Sequence, residues 1–271
     1  MTASYGQRDT RETPEQAQFG EGLLLTEVAK RLGAAKKRSE SLSTSPEKSV
    51  LGRIDKLTTP FNTSEMVQMY LAVAIDNLWT LHRYVRKVKE IPMVAAYSLI
   101  RSAVESTSYG IWILNGHGND IRAQRSLRVT LSDFQQHAAL QNAFGSYEFD
   151  VPDLEQMIRD ANTSLRGLET EAIDDQLQST GIVNAVDGFV GKRRFFSGLQ
   201  VWRATSGLSH ASQPALSVLL ERAPDGTRTS RMTFVAGFAL TAIENVEHLI
   251  DRVVELSQPL PAGRPEPVRA D

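Results

Sequence analysis

"FNTSEMVQMYLAVAIDNLWTLHRYVRKVKE", residues 61–90, decides the class of fold. Its apolar residues Val67, Leu71, Ile75, Leu78 and Val85 recur at the spacing of one face of an α-helix, with polar residues between them. Thr63 or Ser64 ahead of the stripe is the expected N-cap. A helix of this length with one apolar face needs other helices to cover it.

The flanking sequence supplies them. Pro92 opens "IPMVAAYSLIRSAVESTSYGIWILN", which ends at the Gly116-His117-Gly118 turn. Proline suits a first helical turn because its missing N–H has no partner there. A third long helix is expected over about 119–145, a shorter one after Pro152, and another short one in "TEAIDDQLQST". "GIVNAVDGFVGK" reads as a glycine-bearing loop, and a helix starts near Arg193 with "RRFFSGLQVWRATSG". Pro224-Asp225-Gly226 is a turn signal between two short runs with β character, so a small hairpin is expected within 216–234. The last helix repeats apolar residues at Val235, Phe238, Ala242, Val246, Leu249, Val253 and Leu256. Without internal repeats or a sustained heptad, this pattern predicts an all-α bundle of about five to seven helices.

Upstream, residues 1–15 are polar and expected to be disordered. A helix follows over 14–42 with Leu24, Val28 and Leu32 on one face, and "STSPEKS" at 43–49 reads as a linker. The compact domain is therefore expected at 61–258, with 1–60 an N-terminal segment and 259–271 a proline-rich, disordered tail. "LLLTEVAKRLGAAKKRSESL" also resembles the first half of a helix-turn-helix, with Ala29 at the close-packing position and Gly33 at the turn. An amphipathic helix docking on the bundle explains the same residues.

The bulk properties narrow the function. Among 271 residues, 30 are basic and 32 acidic, a balance that disfavours a dedicated duplex-DNA binder. With no cysteine, disulfides, thiol nucleophiles and cysteine-type zinc sites are excluded. The five histidines show no paired metal-ligand spacing. The polar start lacks an export signal, and the apolar stretch at 232–243 is too short to span a membrane. A soluble cytoplasmic protein is expected.

"VWRATSGLSHAS", residues 201–212, is where chemistry is proposed. Seven residues are close to two helical turns, so Arg203 and His210 share one face about 10 Å apart along the axis. Fraying at Gly207, or pairing of two such helices about a twofold axis, brings them toward one another. These residue types suit cleavage of a phosphodiester. An imidazole exchanges protons near neutral pH, a guanidinium grips phosphate oxygens, and no metal or other cofactor is needed. His210 also reads as a helix-end residue bonding local backbone, and Arg203 as a partner for a carboxylate such as Glu105.

"WRATSGLSHAS" resembles the HEPN superfamily, whose signature is an Arg and a His with four to six residues between them, here six between Arg203 and His210. It is similar in particular to a "Y/W-R-x-x-S-G-x-x-H" pattern of bacterial HEPN-like proteins. There an upstream helix carries an Arg and a Glu four apart, matched here by Arg101 and Glu105 in "LIRSAVES". The resemblance implies a helical, usually homodimeric domain. Many members are metal-independent endoribonucleases of toxin or phage-defence type, held by antitoxin-like partners, and others are non-catalytic binding or dimerisation modules. It makes Arg203 and His210 the candidate catalytic pair, with Arg101, Glu105 and Ser206 in support. Arg101 and Glu105 also read as a structural brace.

"GKRRFF", 191–196, offers Lys192, Arg193 and Arg194 as candidate RNA contacts or as a solvated helix start. His82 lies close to the apolar stripe and reads as a packed histidine, His117 as a turn residue, and His137 and His248 as surface residues.

Overall fold

Residues 95–114 are apolar around most of the helical circumference, which requires neighbours on several sides. The computed structural model, which describes residues 12–42, 46–144, 151–170, 172–222 and 228–259, places this helix at the centre. Helix α5 (Ala95–Leu114) packs against α4 (Thr63–Val88), α11 (Met232–Ser257), α8 (Ser179–Val190), α9 (Gly198–Ser209) and α6 (Asn119–Phe144). The expected stripes of α4 and α11 both face inward, from Val67 to Val85 and from Val235 to Leu256. The all-α bundle is the observed fold. Its small antiparallel hairpin joins β1 (Leu220–Arg222) to β2 (Arg228–Ser230), with Leu220 opposite Ser230. The Pro224-Asp225-Gly226 turn lies outside the described residues. The helices outnumber the five to seven expected because 14–58 and 179–219 divide into short ones, including α10 (Gln213–Leu219).

The division expected at residue 61 does not coincide with a break in the core. α1 (Pro14–Gly22), a π-helical segment (Leu23–Val28) and α2 (Ala29–Glu40) follow one another without a gap. Leu24, Val28, Leu32 and Ala35 join the same hydrophobic cluster as α4, α5 and α11. α3 (Val50–Thr58) adds Leu51 and Ile54. The helix-turn-helix expectation is also corrected, since α2 runs unbroken through Gly33. Burial of Leu32 and Ala35 outweighs the roughly 1 kcal/mol that a mid-helix glycine costs.

The N-terminal region holds α11 in place. Glu12 accepts hydrogen bonds from the amides of Met232 and Thr233, both at 2.8 Å, satisfying donors that the first turn leaves unpaired. α1 approaches so closely that a Cβ on Gly20 would lie 2.7 Å from the Met232 backbone. Residues 12–15, expected to be disordered, are therefore part of the ordered fold, and residues 1–11 and 260–271 lie outside the described residues. Asp55 of α3 caps α4 in the same way, accepting from the Ser64 amide at 2.8 Å and the Ser64 hydroxyl at 2.7 Å.

Three expected segments differ. Residues 181–190 are helical, because Ile182, Val183 and Val186 fall on one buried face despite Gly181 and Gly188. The short helix expected in 170–180 is a turn over residues 172–178, where the Asp175 carboxylate accepts from the Ala172 amide at 2.7 Å. α9 starts at Gly198 and not near Arg193, since Ser197 and Gln200 form a reciprocal capping box.

Candidate functional site

The helix that carries Arg203 and His210 is fixed at both ends. At its start, the Asp187 carboxylate accepts from the amides of Gly198 at 2.7 Å and Leu199 at 3.0 Å. Arg193 holds that carboxylate from behind, donating to it at 2.9 Å and to Asn245 Oδ1 at 2.6 Å. At its end, His210 is the C-cap and Ala211 takes a left-handed φ of 53°. The Ser212 amide reaches the Gly207 carbonyl at 2.8 Å and the Ala211 amide reaches Leu208 at 3.0 Å, the two bonds of a Schellman motif. Gly207 lets α10 pack closely, since a Cβ there would sit 2.7 Å from Ala215 Cβ.

Between these anchors, Val201, Thr205 and Leu208 face the core while Arg203 and His210 are exposed. Neither side chain has a hydrogen bond or ion pair among the described residues. The His210 amide bonds the Ser206 carbonyl at 3.2 Å, so the helix-end reading fits its backbone and leaves its ring available. Ser206, half-buried, lies between the pair along α9.

Arg101 and Glu105 stand on α5. Their charged groups approach to 3.6 Å, and the Arg101 guanidinium lies 5.3 Å from the Trp202 ring. Glu105 is therefore the partner of Arg101, and the alternative pairing of Arg203 with Glu105 is not formed. Trp202 immediately precedes Arg203, so the Arg101 stack bears on the helix that carries the candidate pair. Ser98 and Ser209 hydroxyls, 3.4 Å apart, make a second link next to His210.

Arg101 and Glu105 also line a cleft of about 550 Å³. Its floor is a polar stripe of α5, Ser98, Arg101, Ser102, Glu105, Ser106 and Tyr109, and its walls include Tyr70 of α4 and Asp133 of α6. Tyr70 and Tyr109 have ring centroids 6.2 Å apart, and the Tyr109 hydroxyl pairs with Ser179 at 3.0 Å. Burial raises both phenols above their ordinary range, with the negative charge of Asp133 adding to the shift. Asp133 as a residue is exposed, but neighbouring side chains desolvate its carboxyl enough to raise its pKa. Arg203 and His210 lie on α9 outside this lining.

The basic cluster divides. Lys192 and Arg194 are exposed, with Arg194 5.1 Å from the Phe195 ring centroid. Arg193 is corrected: its side chain is 4% exposed and committed to Asp187, Asn245 and Glu244, so RNA cannot reach it. His82 is packed as expected. His248 is not a free surface residue, because it is half-buried with Nε2 lacking a hydrogen-bond partner. Asp187, Tyr70, Tyr109 and Asp133 were not singled out from sequence. The cleft floor had a readable signal, polar residues at i, i+3, i+4, i+7 and i+8 within an otherwise apolar helix. Compared with models of protein families, with curated proteins and with solved structures, the chain matches none.

Proposed function

We propose that the chain is a metal-independent endoribonuclease of HEPN type, acting as a homodimer in the cytoplasm through Arg203 and His210. The observation that carries this reading is their shared availability. Both are exposed on one face of a helix anchored at each end, and neither is paired with another described side chain. Two copies of α9 facing one another would bring a guanidinium and an imidazole from each chain into one cleft, removing the separation of about 10 Å along a single helix.

In this mechanism His210 accepts the proton of a ribose 2′-hydroxyl as the 2′-oxygen attacks phosphorus. The bond to the 5′-oxygen breaks, and that oxygen takes a proton from an imidazolium, leaving a 2′,3′-cyclic phosphate and a 5′-hydroxyl. Arg203 holds the phosphate oxygens as charge develops. Arg101, braced by Glu105 and stacked on Trp202, positions α9, and Ser206 supports the pair from within the helix. Exposed Lys192 and Arg194 supply phosphate contacts. A toxin or phage-defence role with an antitoxin-like partner accompanies the reading.

The test uses two matched oligonucleotides in excess chelator, one all-RNA and one with 2′-deoxy substitution at the cleaved linkage. The first is expected to yield a 2′,3′-cyclic phosphate end and the second to stay intact. Cleavage of the deoxy-substituted linkage contradicts the mechanism. The rival, a non-catalytic binding or dimerisation module, is favoured by no RNA product together with altered assembly in Arg203→Ala.

A further inference from the structure

The cleft above α5 has a chemistry distinct from the Arg203–His210 face. Arg101 and Glu105 largely neutralise one another, yet at 3.6 Å they form no hydrogen bond, so the Glu105 oxygens retain acceptor capacity. Asp133 contributes a carboxylate with no hydrogen bond or ion pair among the described residues. The Tyr70 hydroxyl likewise has no such partner, and its ring lies 6.2 Å from that of Tyr109, both lining the cleft. Among the described residues no lysine and no second arginine lines the space, which leaves their summed charge negative. The floor from Ser98 to Tyr109 covers eleven residue steps, or about 16 Å of helix, with three serines keeping it shallow and rich in hydroxyls.

We propose that this cleft binds a linear aliphatic polyamine, with ammonium groups taken by Asp133 and Glu105 and the methylene chain lying against Tyr70 and Tyr109. Each part of the ligand answers a feature of the site. An ammonium donates to carboxylates and hydroxyls and is attracted to aromatic faces. The length of the floor suits an extended chain. A nucleotide phosphate would meet two carboxylates with the one guanidinium already engaged, and a neutral polyol would leave Asp133 uncompensated. The proposal does not rest on nuclease activity.

The experiment is calorimetric titration of the full chain with spermidine in 150 mM salt. Saturable one-to-one binding is expected. Asp133→Asn and Glu105→Gln should each weaken it about tenfold through loss of a charge-assisted hydrogen bond. Glu90→Gln, an exposed carboxylate outside the cleft, should leave it unchanged. Thermal melts of each variant establish that the fold is retained, and Asp133 is exposed enough for its isosteric replacement to fold. No saturable binding, or equal weakening by Glu90→Gln and Asp133→Asn, would overturn the proposal.

Discussion

Arg193 donates to Asp187 at 2.9 Å, and the same carboxylate accepts the first two amides of α9. The nearer of the two carboxylates around a nearly buried guanidinium thereby also orients the helix that carries Arg203 and His210. Asp187→Ala should lower stability by about 3 kcal/mol, because it removes the nearer anion of Arg193, leaving only Glu244 at 3.7 Å, and leaves two helix-start donors unpaired. Urea denaturation measures the loss, and a change below about 1 kcal/mol would mean that Glu244 alone compensates Arg193.

Ala211 occupies a left-handed conformation, φ 53°, at the position where a Schellman motif favours glycine. Ala211→Gly removes the Cβ clash and should raise stability by about 1 kcal/mol, although glycine also loosens the unfolded chain. Thermal unfolding checks the sign. Since residue 211 follows the His210 cap, a stabilised variant also tests whether firmness at the end of α9 affects RNA cleavage.

Burial holds His82 and His248 below the ordinary histidine range, with a backbone hydrogen bond at Leu24 opposing the shift at His82 and Asp251 opposing it at His248. Below pH 6.5 the unfolded chain binds protons that the folded chain does not. Their contribution is therefore complete above that pH and declines as pH falls toward the folded values. The slope is at most about 1.4 kcal/mol per pH unit for each histidine. Denaturation midpoints from pH 8 to pH 5 should fall, and less steeply in His82→Asn than in the wild type.

The long amphipathic helices were legible because burial of one face imposes its period directly on the sequence, as Val67 to Val85 and Val235 to Leu256 illustrate. Two kinds of feature were not. Gly181 and Gly188 read as loop punctuation, yet Ile182, Val183 and Val186 are buried firmly enough to keep the segment helical. Misreading that helix hid Asp187, and with it the reason Arg193 is buried, since a run of basic residues reveals charge and not what neutralises it. Arg203, His210, Arg101 and Glu105 stand out in the sequence as candidates, but their division between an exposed helix face and a separate cleft depends on how α5, α6 and α9 pack. The N-terminal helix illustrates the same limit: its stripe predicts a partner without naming α4 and α11.

Glu12 is a further consequence of that packing. Its carboxylate caps α11 from a position more than two hundred residues away in sequence. Glu12→Ala should cost about 1 kcal/mol, the usual value of a helix N-cap. Hydrogen exchange at the Met232 and Thr233 amides should accelerate, and unchanged protection there would show that another group supplies the cap.

The most direct measurement is the rate of RNA cleavage by the purified chain in excess chelator, wild type beside His210→Ala of equal thermal stability. Loss of the general acid and base should reduce the rate by about a hundredfold or more. An unchanged rate in His210→Ala would contradict the assignment of the chemistry to the Arg203–His210 face.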